Sequence, residues 1–159
     1  MKRTRLLALI AITLLLAITI YAVVQSRHQP STSSTQPTIS INNYQFNLTI
    51  AETPQQQLDG LSGWTHLEPN QGMYFPLNNR HTSFWMKDML IDIDIIWIDE
   101  NQIVGINHRV PAPEPGTPDA KLPSYPSPVP QPDGVLEIAA GRAEELGIVV
   151  GDRVELSLN

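Results

Sequence analysis

An all-β domain with one or two short helices is predicted for residues 39–159, and three observations predict it. Short runs of β-branched and aromatic residues recur along the chain, separated by Asn, Gly, Asp and Pro turn signals. The block from Gly72 to Asp99 gathers aromatics, methionines and alternating isoleucine and aspartate, as a buried, paired sheet would. Only two segments carry helix signals, and both are small.

The front of the chain is different in kind. Lys2, Arg3 and Arg5 precede an uninterrupted apolar run from Leu6 to Val24. As a helix this run is roughly 28 Å long, close to the ~30 Å hydrocarbon thickness of a bilayer. It reads as a transmembrane signal anchor over 6–24, with residues 1–5 in the cytoplasm and the rest exported. The alternative is a signal peptide removed after Val24-Gln25-Ser26, leaving a secreted domain. Residues 25–38 are rich in Ser, Thr and Pro, lack a hydrophobic period and read as a flexible linker.

The elements of the domain follow in order. Ile39 and Ile41, then Tyr44, Phe46, Leu48 and Ile50, alternate with polar residues on either side of Asn42-Asn43, which predicts a hairpin. Thr53 caps a short helix with Pro54 at its first position, Gln56 at capping-box spacing and Gly60 as its stop. Leu58 and Leu61 are its expected apolar anchors. Strands are predicted over Gly72–Phe75, Thr82–Lys87, Leu90–Asp99 and Gln102–Asn107, the last two joined by the turn Asp99-Glu100-Asn101. Nine of the fourteen prolines fall between Val110 and Asp133. They exclude a helix or a central strand and leave a long loop. Val135–Ala139 is a further strand, Arg142–Leu146 a short helix ended by Gly147, and Ile148–Leu158 two β segments joined at Gly151-Asp152.

Charge and cysteine content bound the function. Six basic residues beyond the linker face all sixteen acidic ones, so the exported part carries 6 − 16 = −10. That argues against nucleic acid and against an anionic membrane face, and tolerates cationic partners. Cysteine is absent. Stability in an oxidising compartment must then come from a hydrophobic core, and thiolate chemistry is excluded.

Several motifs resemble one family. They are Gly60-Leu61, Gly72-Met73-Tyr74-Phe75, Ser83-Phe84-Trp85-Met86-Lys87, Asp94-Ile95-Ile96-Trp97-Ile98-Asp99, the strand Val135-Leu136-Glu137-Ile138-Ala139-Ala140-Gly141, and Gly147-Ile148 with Gly151-Asp152-Arg153-Val154. In order and spacing, over about Tyr44 to Leu156, the chain resembles domain-of-unknown-function family 192 (uncharacterised protein family 0127) of bacterial and archaeal exported proteins. The resemblance implies a compact β-sandwich of jelly-roll type with small helices, and it implies no activity, cofactor or catalytic residue. The chain departs from the family pattern at Ser62-Gly63-Trp64, where Met and Arg usually follow Gly-Leu, and at Asp92, which replaces a usual proline.

The candidate chemistry is modest. Asp92 and Asp94 lie two apart on a predicted strand, with Cα atoms about 6.6 Å apart on one face, the spacing of a paired-carboxylate hydrolase site. The competing reading makes them a solvated rim running into the core, with one aspartate accepting loop amides. His66, His81 and His108 show no ligand spacing, so no metal site and no cofactor are expected. Among the aromatics, Trp97 belongs in the core. Trp85 shares its strand face with Ser83 and Lys87 and is the best candidate for an exposed binding residue. Tyr125 in the proline loop is a further ligand-binding candidate, as part of a lid or docking strip. No nucleophile elbow or phosphate loop occurs. The function expected is a non-enzymatic binding or accessory module of the cell envelope. It would meet the membrane through its helix and a small ligand, glycan or protein through the rim of Trp85, Lys87 and Asp94. The alternatives are a small hydrolase using Asp92 and Asp94, and an assembly scaffold.

Overall fold

In the computed structural model the described residues are 36–77 and 82–158. The expected anchor, most of the linker and His81 lie outside them. Among the described residues no helix is long and apolar enough to cross a membrane.

The strands are β1 (Thr38–Ile41), β2 (Tyr44–Ile50), β3 (Gln71–Pro76), β4 (Ser83–Trp85), β5 (Ile93–Asp99), β6 (Gln102–Val110), β7 (Ser124–Pro126), β8 (Gly134–Ala139) and β9 (Val154–Ser157). Two short helices accompany them, α1 (Pro54–Asp59) and α2 (Arg142–Glu145). Seven strands form one sheet in the order β6-β5-β8-β3-β2-β1-β9, and β4 pairs with β7 in a separate ribbon. Only β2 and β3 run parallel, and the chain between them passes through α1. The sheet's two edges meet at one end. Gln102 bridges Arg153, the Ile103 N–H donates to the Asp152 carbonyl at 3.0 Å, and the Val154 N–H donates to the Asn101 carbonyl at 2.9 Å. The all-β expectation therefore holds, while the layering differs from two stacked sheets: one continuous curled sheet carries a small ribbon.

The curl creates two apolar layers. Ile39, Ile41, Phe46, Leu48, Tyr74, Ile96, Ile98, Leu136 and Ile138 fill the inside. Leu61, Met73, Phe75, Met86, Met89, Ile93, Ile95, Trp97 and Val135 form a second layer on the outer face, under the ribbon and the segment after α1. The central strands β3, β5 and β8 are covered on both faces, which is why they read as near-continuous apolar runs rather than clean alternation. Every residue from Ile93 to Ile98 is buried.

Local signals built the elements where expected. Asn42 adopts φ 55° in the β1–β2 turn, and Glu100 and Asn101 adopt φ 47° and 60° between β5 and β6. The Thr53 side chain accepts the Gln56 N–H at 3.2 Å, and the Gln56 side chain accepts the Thr53 N–H at 2.9 Å, a complete capping box.

Three expectations are corrected. Leu58 does not anchor α1: it is 63% exposed, and the helix buries none of its residues. Its hold on the sheet comes instead from Gln57, whose amide donates to the Ala51 and Pro76 carbonyls at 3.2 and 3.0 Å. Leu90 to Asp92 precede β5 rather than extend it, and Leu90 is exposed. Ile148–Val150 form no strand. The Asp152 carboxylate accepts the Val149 N–H at 2.9 Å and folds this segment into a turn, burying Ile148 and exposing Val149 and Val150.

Candidate functional site: a cleft over Glu137

The sequence-predicted residues separate into two places. Asp94, on the inner face of β5, is fully buried. Its Oδ1 accepts the Arg109 N–H at 2.7 Å and the Gly141 N–H at 2.9 Å, and its Oδ2 accepts the Ala143 N–H at 2.9 Å. One carboxylate thus ties β5 to the end of β6, the turn after β8 and α2. Two of its donors, Arg109 and Gly141, hold left-handed backbone at φ 48° and 78°. Asp92 lies outside the strand, exposed, where its Oδ1 accepts the Ala112 N–H at 2.8 Å. The structure does not bring Asp92 and Asp94 together as two free carboxylates facing one substrate, and Asp94 does not join the rim of Trp85 and Lys87.

Trp85 and Lys87 meet elsewhere, at the mouth of a cleft on the outer face. β4 alternates as its sequence requires. Phe84 points inward and stacks edge-on against Phe75 and Trp97, at centroid separations of 4.9 and 5.6 Å, while Trp85 points outward and stays 41% exposed. Lys87 Nζ lies 5.4 Å from the Trp85 ring centroid and pairs with Asp119 at 2.5 Å. The hydrogen bond and the charge of Asp119 hold the Lys87 ammonium above its ordinary range. Across the cleft, the Ser62 hydroxyl donates to the Lys87 carbonyl at 2.7 Å and the Gly63 N–H donates to the Asp88 carbonyl at 2.9 Å. These bonds strap the turn after α1 to the end of β4. Tyr125 pairs with Phe84 across the ribbon and packs against the outer apolar layer, and does not line the cleft.

The floor of the cleft holds a residue that the sequence reading passed over. Glu137 of β8 sits between Met73 of β3 and Ile95 of β5 in register, on the outer face. It is 5% exposed, lines the cleft beside Leu61, Phe75, Phe84 and Met89, and has no hydrogen-bond partner among the described residues. Burial pushes its carboxyl up from 4.5 to about 8. The cleft has a free volume of about 30 Å³, room for about two water-sized groups. A carboxyl in such a place is a functional-site candidate, because charging it demands a partner that none of the described residues provides. The signal was present in the sequence as a lone acidic residue inside the apolar run Val135-Leu136-Glu137-Ile138, but there it served only as part of a family motif. Among the described residues no group of three or more His, Asp or Glu is placed to hold a metal ion.

Comparison with known proteins places this chain in a family. The model of an uncharacterised family, DUF192, matches residues 37–156. A crystal structure of a protein of unknown function from Novosphingobium aromaticivorans is similar, with TM-score 0.65 and 30% identity over 74% of this chain and 83% of that one. So is a crystal structure of a proposed transcription regulator from Sinorhizobium meliloti, with TM-score 0.63 and 25% identity over 76% of this chain and 92% of that one. No curated protein matches the chain at a significant level.

Proposed function

Since the chain belongs to the uncharacterised family DUF192, we propose a non-enzymatic binding module of the cell envelope whose site is the cleft over Glu137. The observation that carries this reading is the buried Glu137 carboxyl, without a hydrogen-bond partner among the described residues, opening into a cleft with Trp85 and Lys87 at its mouth. Asp94 accepts three amides, whereas Glu137, one register step away on the opposite face of the same sheet, accepts none among the described residues. An incoming group that hydrogen-bonds the carboxyl offsets its desolvation.

The anchor belongs to the same proposal. The basic start and the apolar run 6–24 support a single-pass protein whose domain is held outside the cytoplasm on a short linker. The description of the Sinorhizobium meliloti protein as a regulator stays with that protein. The excess of sixteen acidic over six basic residues beyond the linker opposes nucleic acid as a partner here.

A thermal-shift screen of small polar, cationic and sugar ligands against the full-length protein tests the binding site. The expected result is a ligand that raises the melting temperature of the wild type and not that of Glu137→Gln. A set of ligands that shifts both proteins equally, or neither, sinks the cleft as the site. Protease accessibility of the domain in spheroplasts tests the topology: digestion from outside is expected, and protection there overturns the exported orientation.

A further inference from the structure

The shape and charge of the cleft say more about what enters it. Resting on the reading of this cleft as a binding site, we propose that its ligand is a primary alkylammonium group, free or on a lysine side chain, seated on Glu137 and walled by Phe84 and Trp85.

Four observations converge on that class. The free volume of about 30 Å³ has room for a single –NH3⁺ group beside Glu137. Around this floor stand aromatic and aliphatic side chains, with Leu58 and Trp85 exposed at the mouth. A methylene stem finds apolar contact there, and a cation is attracted to the ring faces. The chain supplies a demonstration of the contact, since its own alkylammonium, Lys87, already lies over the Trp85 ring.

The charges facing Glu137 point the same way. Asp59 of α1 lines the mouth. β3 and β5 present only Met73 and Ile95 beside the carboxyl. Lys87, the one cation lining the cleft among the described residues, is held away by Asp119 from the proline-rich loop. Among the described residues Glu137 therefore faces no free positive charge, and an anionic ligand would meet Asp59 and a lysine already paired with Asp119. A hard divalent ion would find too few carboxylates, because among the described residues only Glu137 and Asp59 line the cleft with one.

Binding is coupled to protons in a defined direction. Free Glu137 keeps its proton up to about pH 8, while an alkylammonium stays charged to roughly pH 10. Seating the cation below pH 8 therefore releases about one proton, and affinity rises as pH approaches 8 before levelling. A neutral carbonyl or hydroxyl ligand would use the protonated acid and show the opposite slope.

Isothermal titration calorimetry of the full-length protein in non-ionic detergent, at pH 6.5 and 8.5, is the test. The probes are n-butylamine, Nα-acetyl-lysine methylamide, butyramide and butyrate. Both amines are expected to bind at least tenfold more tightly at pH 8.5, and in buffers of different ionisation enthalpy to release about one proton at pH 6.5. Binding of the lysine derivative alone also supports the proposal and assigns the source to a protein side chain. Glu137→Gln should remove this binding, and Trp85→Ala, at an exposed position, should weaken it several-fold while keeping the pH slope. Asp119→Asn should weaken it too, by freeing Lys87 to compete for Glu137. Preference for butyramide with affinity falling toward pH 8.5, or preference for butyrate, overturns the ammonium class and leaves the cleft as a binding site. Absence of binding by all four probes at 10-mM concentration, on the order of the weakest measurable affinity, overturns the ammonium proposal. Unchanged amine binding in Glu137→Gln and Trp85→Ala overturns the cleft itself.

Discussion

Asp94 and Glu137 are neighbours across one sheet and opposites in their surroundings. In the β5–β8 ladder Asp94 pairs with Ile138 and Ile95 pairs with Glu137, so the two acids are one register step apart and face opposite sides. Both are almost completely buried. Asp94 accepts three backbone N–H groups, and Glu137 accepts none among the described residues. The carboxyl group and its burial are shared; hydrogen bonding separates a structural carboxylate from one available to a ligand.

The comparison breaks first at Asp94. Asp94→Ala leaves two buried N–H groups and one partly buried one without an acceptor, at about 1–3 kcal/mol each. A loss on the order of 5 kcal/mol is expected, a large share of a typical domain's stability. The urea midpoint measures it, and a loss under about 1 kcal/mol would show that the clamp is dispensable. The second variant, Glu137→Gln, should do the reverse. The Glu137 carboxyl holds its proton to about pH 8 folded and only to about 4.5 unfolded. Its favourable contribution is therefore complete below pH 4.5 and is lost as pH rises toward 8. Glu137→Gln is expected to be more stable than wild type at pH 9, by at most about 5 kcal/mol, and equal to it near pH 4. Denaturant melts at both pH values decide this, and a gain independent of pH would mean that packing rather than charge separates the variants.

Smaller effects sharpen the contrast. Gly141 donates to Asp94 from φ 78°, and a Cβ there would meet the Arg109 guanidinium at 2.6 Å. Gly141→Ala should cost about 1–3 kcal/mol, read as a lower melting temperature. Asp92→Ala should be smallest, at about 0.5–1 kcal/mol, because its hydrogen bond to the Ala112 N–H lies in solvent. A larger loss there would make Asp92 a second clamp and remove the distinction between the two aspartates.

Much of this was legible in the sequence where the cause is local. The Asn42 turn, the capping box at Thr53 and Gln56, and the outward Trp85 opposite an inward Phe84 follow from φ preferences and two-residue periodicity. Leu58 and Val149-Val150 misled because apolar character within a short period does not show which side a neighbouring element will cover. The reading of Asp94 as an acceptor of loop amides rested on its place in an apolar strand, but its donors come from Arg109, Gly141 and Ala143, as many as 49 residues away. Glu137 left the weakest trace, since an acid in a buried strand reads alike whether it is partnered or free.

The all-β class, the turns, the cap of α1, the membrane-length apolar run and the acidic balance were determined by sequence alone, because each depends on composition or on residues a few positions apart. The curling of one sheet until its edges meet, the division of two buried carboxylates into one satisfied and one open, and the gathering of Trp85, Lys87 and Glu137 around one cleft were decided only by tertiary structure. Each of these depends on which distant backbone amides and side chains the fold brings within hydrogen-bonding reach, and no local pattern encodes that.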